Sequence, residues 1–140
     1  LRRIEMKIGM LVDFMGGGGR TPEEEYAEIE EMFSLALNHP TTFVRNVQPH
    51  QLSNESFDVY VFDYGGLAPG SGSLFGDMMH ELHRQIEDHP NTLFVIWSSF
   101  TGMMYEALLR QETKLIENQH NLVIANGLTD ELEDKIKAFL

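Results

Sequence analysis

Two aspartates stand where acid chemistry would be useful. Asp13 closes the apolar run Ile8-Gly9-Met10-Leu11-Val12, and Asp63 closes Val59-Tyr60-Val61-Phe62. A carboxylate at the carboxyl end of a buried strand lies at the crevice where open α/β sheets bind their ligands. Two carboxylates meeting there could hold Mg²⁺, which takes few protein carboxylates and fills its shell with water and phosphate oxygens. The plainer use of the same residues is to cap the loops or helices that follow the strands. Ser98 and Ser99 follow the run Leu93 to Trp97, and Asn126 follows Leu122 to Ala125, so a hydroxyl and an amide would join the same rim.

Other residues suggest weaker chemistry. Gly16 to Gly19, with Gly17 and Gly18 at the centre, feed a helix start, where N–H donors can face an anion. Arg20 would help such an anion, and Glu23, Glu24 and Glu25 would repel it; the run fits neither the dinucleotide fingerprint nor the Walker pattern. Tyr64 and Trp97 sit at strand ends and could stack on a flat ligand, or pack against helices. Asp77, His80 and His83 recur every third residue, a spacing that spreads them around a helix and reads first as a solvated face. No Ser-His-Asp set is recognisable, because Ser98 and Ser99 lack a nucleophile-elbow context. Met78-Met79 and Met103-Met104 read as core filler.

The elements that position these residues alternate. Lys7 to Phe14 is a compact apolar run, expected to be a fully buried strand. Thr21-Pro22-Glu23-Glu24 supplies an N-cap, a proline at the first helical position and a capping-box Glu for a helix reaching about Asn38. That helix should bury Tyr26, Ile29, Phe33, Ala36 and Leu37 and turn the Glu residues between them to water. Strands are expected at Thr42 to Val47 and Asp58 to Asp63. The short connection between them needs a small helix, or else the earlier strand is an antiparallel edge.

A second helix carries Leu74, Phe75, Met78, Met79, Leu82 and Ile86, and a strand spans Leu93 to Trp97. A third helix carries Met104, Leu108 and Leu115, a fifth strand spans Leu122 to Ala125, and a last helix capped near Thr129 buries Leu132, Ile136, Phe139 and Leu140. Asn38-His39-Pro40 and Asp88-His89-Pro90 each mark a change from helix to strand, since proline ends a helix and histidine suits its negative end.

This alternation predicts a three-layer α/β/α fold with a five-stranded, mainly parallel sheet in flavodoxin-like order 2-1-3-4-5. In that order Asp13, Asp63, Ser98 or Ser99, and Asn126 converge from separate strand ends. The chain here resembles the receiver domains of two-component signalling. Their pattern has an acid after strand one, a phosphoaccepting Asp after strand three, Ser or Thr after strand four and Lys after strand five. Asp13, Asp63 and Ser98 or Ser99 match the first three. The resemblance implies a Mg²⁺ site at Asp13 and Asp63. It departs from the pattern at Phe14, where a second acid is common, at Asn126, near the expected Lys, and at Pro69, which falls later than the usual proline.

Composition narrows the function. The 140 residues suit one domain, 1–140, in which residues 1–5 could be a leader before the start-like Met6-Lys7. With 22 acidic against 10 basic residues and a formal charge of −12, general nucleic-acid binding is disfavoured. No apolar run is long enough to span a membrane, and the absence of Cys and of a visible signal peptide fits a cytoplasmic protein. The expectation is a noncatalytic regulatory or interaction domain with a protein partner. No cofactor is required, Mg²⁺ being the one the acids could hold, and a homodimer is compatible with the sequence. The alternatives are a small-ligand or nucleotide binder using the glycine loop with Tyr64 and Trp97, and a Mg²⁺-dependent phosphoryl-transfer enzyme with Asp63 as nucleophile and Asp13 as metal ligand.

Overall fold

The computed structural model describes residues 5–12, 21–63, 73–97, 120–125 and 130–139, with the backbone alone at 73–80, 97, 124, 125 and 131. In chain order these form β1 (Met6–Val12), α1 (Pro22–Leu37), β2 (Thr41–Val44), a 3-10 turn (Pro49–Ser53), β3 (Val59–Asp63), α2 (Ser73–Asp88), β4 (Leu93–Trp97), β5 (Leu122–Ala125) and α3 (Asp130–Ala138). The helix expected around Met104, Leu108 and Leu115 lies outside the described residues.

The five strands form one sheet in the order β2-β1-β3-β4-β5, and every pairing is parallel. β2 is therefore a parallel edge, and the 3-10 turn Pro49–Ser53 is the short helix its crossover requires. The sheet is covered on both faces, which is why β1, β3 and β4 are continuously apolar instead of alternating. On one face Met6, Ile8, Met10, Val12, Val59, Val61, Leu93 and Val95 pack against Tyr26, Ile29, Phe33 and Leu37 of α1 and Leu132 and Ile136 of α3. On the other, Leu11, Tyr60, Phe62, Phe94 and Ile96 meet Leu82 and Ile86 of α2 and Leu52 of the 3-10 turn.

Local signals explain the boundaries. Thr21 and Glu24 form the reciprocal capping box at the start of α1, with Pro22 just inside it. Asn38 ends the helix in the left-handed region (φ 45°), and Pro40 accepts from the Met6 amide as β2 begins. At the second His-Pro pair, His89 binds back to the Gln85 carbonyl before β4 starts. Both pairs thus act as punctuation. Glu25, just before the first of the apolar positions of α1, is buried. It precedes Tyr26 and lies four residues before Ile29, on the flank of the packed face, and the positive end of the helix favours a carboxylate there.

β2 stops three residues earlier than its apolar pattern suggests. In a regular parallel ladder continuing from Gly9↔Val44, residue 46 would donate to the Met10 carbonyl. Val47 does so instead, at 2.9 Å, so Arg45 and Asn46 insert one extra residue, with Asn46 at φ 60°. Asparagine tolerates this conformation better than any β-branched neighbour would.

Candidate functional site

Register places the carboxyl ends of the four inner and far strands on one row. Val12 pairs with Asp63, Asp63 with Trp97, and Trp97 with Ala125. Because all four strands run the same way, this row is the carboxyl edge of the sheet, its neighbours about 4.8 Å apart. Asp63 occupies the middle of that edge and is only 1% exposed. Of the residues expected at the rim, Asp13, Gly17, Gly18, Arg20, Tyr64, Ser98, Ser99 and Asn126 lie outside the described residues, as does the side chain of Trp97. Among the described residues, no three His, Asp or Glu side chains are grouped to hold a metal ion.

The end of β1 is closed by side chains that sequence reasoning did not single out. The bulge in β2 leaves the Val12 amide without its regular carbonyl, and the Tyr26 hydroxyl accepts from it at 2.9 Å. The same hydroxyl donates to Asn46 Oδ1 at 3.1 Å and accepts from the Asn46 amide at 3.3 Å. Tyr60 deals with the other loose end, donating its hydroxyl to the Val47 carbonyl at 2.6 Å. Two tyrosines from opposite faces of the sheet thus complete the ladder that the extra residue interrupts. Burial pushes the Tyr60 phenol well above its ordinary value, so it stays a donor.

Arg45 seals this corner from outside. Its guanidinium lies over the Tyr26 ring, 5.5 Å from the centroid, and binds both carboxylate oxygens of Glu30 at 2.8 Å. The hydrogen bond to Glu30 is the largest influence raising the Arg45 pKa. Tyr26 was legible as a core position, but its hydroxyl had no visible task until the bulge appeared. The one available hint was an asparagine placed just after a strand, a residue suited to the left-handed region.

The histidines expected on the α2 face do not form a site among the described side chains. His83 is partly exposed with Nε2 3.5 Å from Glu87 one turn on, beside an Arg84–Glu81 pair. The described part of this face is an ordinary charged helix surface. At the amino edge of the sheet, Asn121 is fully buried and places Nδ2 within 2.9–3.2 Å of the Ile86, His89 and Thr92 carbonyls. It ties the end of α2 to the starts of β4 and β5, which is a structural role.

No protein-family model matches this chain, and no curated protein matches it. Among solved structures, it is similar to a protein of Burkholderia pseudomallei K96243 described as pilus assembly-related, with a TM-score of 0.57, 12% identity, and coverage of 96% of this chain and 88% of that one. It is also similar to the receiver domain of a Francisella response regulator, with a TM-score of 0.53, 14% identity, and coverage of 96% and 95%. A two-electron reduced flavodoxin from Megasphaera elsdenii aligns at a TM-score of 0.47 and 16% identity over 94% and 97%. At these identities the likeness is one of fold: the chain has a receiver-like, flavodoxin-like scaffold.

Proposed function

We propose that this chain is a noncatalytic regulatory domain that binds protein partners on a receiver-like scaffold. The observation that carries the reading is Asp63, the candidate phosphoacceptor, buried to 1% exposure in the middle of the carboxyl edge. A nucleophile for phosphoryl transfer must be reached by its donor, and the transferred group needs positive charge to stabilise it. The sequence has Asn126 near the position of the usual Lys and Phe14 in place of a second acid. Asp13, Tyr64, Ser98 and Asn126 each come next in sequence after a member of the row Val12, Asp63, Trp97 and Ala125. They are proposed to border a recognition surface along that rim, with Gly17, Gly18, Arg20 and Ser99 beside them. No helix among the described residues is long and apolar enough to cross a membrane.

The test is incubation with acetyl phosphate and Mg²⁺, followed by intact-mass measurement of the wild type and Asp63→Asn. The expected result is no phosphoryl adduct on either protein. An adduct on the wild type that disappears in Asp63→Asn would establish a phosphorylated switch and overturn the noncatalytic reading.

A further inference from the structure

The strongest unassigned feature lies on the β2 edge. A groove of about 410 Å³ opens beside the exit of β2, with Arg45 and Asn46 on one wall and Gln51, Asn54 and Glu55 on the other. Its volume is within the range of specific binding sites. All five side chains are exposed. Three are carboxamides; the oxygens of Asn46 and Gln51 already accept from Tyr26 and from the Gln48 amide, so these two offer chiefly their NH₂ donors, while Asn54 offers donors and an acceptor to a peptide main chain. Two of the lining residues are already in ion pairs, Arg45 with Glu30 and Glu55 with Lys7.

β2 itself is the outermost strand, and among the described residues no strand lies beyond it. Met6 donates to the Pro40 carbonyl, and from that starting point the parallel pattern turns the main-chain groups of Thr42 and Val44 toward β1. The main-chain groups of Thr41 and Phe43 consequently face outward, on the side where another strand would add. The bulge at Arg45 and Asn46 bends the end of this edge, and both residues line the groove. An extended peptide along β2 would gain main-chain hydrogen bonds from the edge and further contacts from the groove.

Charge selects the sign of that peptide. Around the edge Glu30 and Glu55 are balanced by Arg45 and Lys7, and Glu5, which contacts Thr42, leaves a local surplus of one acid within a chain that carries −12. Basic segments are drawn in and acidic ones repelled. We propose that the β2 edge and its groove form the docking surface for an extended segment of a partner protein bearing lysine or arginine. The proposal deepens the interaction-domain reading by giving the partner a chemistry, and it rests on that reading. The acetyl phosphate result reads Asp63 and the peptide result reads the β2 edge, so the two readings can fail separately.

The experiment titrates the full ¹⁵N-labelled chain with an acetylated, amidated hexapeptide alternating valine and lysine. Expected are amide shifts concentrated at Thr41, Phe43 and Arg45 and at the side chains of Asn46, Gln51 and Asn54. The exposed double substitution Gln51→Ala with Asn54→Ala should weaken binding about tenfold without changing net charge, and Asn54→Ala alone, which keeps the bond from the Gln48 amide to Gln51, should weaken it in the same direction. A glutamate-for-lysine peptide should cause no shifts. The proposal is overturned by shifts spread over the whole acidic surface, by binding that the double substitution leaves unchanged, or by no binding. Concentration-dependent shifts at the same amides without peptide would also overturn it, because the occupant would then be a second copy of this chain.

Discussion

At the scale of single residues, two hydroxyl groups decide how the β2 corner is built. Replacing Tyr26 by Phe keeps the ring in the core but leaves the Val12 and Asn46 amides without their shared acceptor. Urea unfolding of Tyr26→Phe should show a loss of about 1–3 kcal/mol, the cost of leaving buried donors unmet. A loss near zero would mean that water replaces the hydroxyl and that the corner is open. Tyr60 gives a pH dependence of definite sign. Its neutral form donates to Val47, and its folded pKa lies above the unfolded 10.0, so its contribution is complete below about pH 10 and is lost as the pH rises beyond it. In Tyr60→Phe the fall of stability above pH 10 should therefore be shallower than in the wild type. Equal slopes would show that this phenol does not govern the alkaline limb.

At the scale of elements, β1 is shaped by what packs on each side of it. Met6, Ile8, Met10 and Val12 face α1, whereas on the opposite side Gly9 leaves room for the Phe57 ring. A Cβ at position 9 would lie 3.0–3.2 Å from three atoms of that ring, closer than packed atoms ordinarily approach. Gly9→Ala should destabilise by about 1–3 kcal/mol in thermal or urea unfolding, the usual cost of overpacking. Adding Phe57→Leu should return part of it, because the two positions share one contact and their effects do not add. Strictly additive losses would place the cost in the backbone instead. The boundaries of α1 were legible because its capping box and proline act within one turn of chain. The end of β2 was not, since Asn46 is the one hint within Thr42 to Val47 and the extra residue is accommodated across space by Met10 and Tyr26.

At the scale of the whole molecule, the surplus of acidic residues should make stability depend on salt. With a formal charge of −12, self-repulsion opposes the folded state and is screened as the Debye length falls below about 10 Å above 0.1 M salt. Raising NaCl from about 0.05 to 0.5 M should lift Tm by about 2–5 °C. A fall in Tm would mean that ion pairs such as Arg45–Glu30 outweigh the repulsion. The strand-helix alternation, the apolar strands and the right-handed crossover rule were enough to expect a mainly parallel α/β sheet, because periodicity and chain connectivity are local properties; the order 2-1-3-4-5 was the preferred topology among those they allow, and the parallel pairing of β2 came from the structure. They also pointed to Asp63 at a strand end. Its near-complete burial could only come from coordinates, because exposure depends on every segment that approaches it. The same holds for the bulge, the two tyrosine hydroxyls and the groove at the β2 edge: each joins residues distant in sequence, and hydrogen-bond geometry at that range is set by the packed sheet and helices, not by neighbours along the chain.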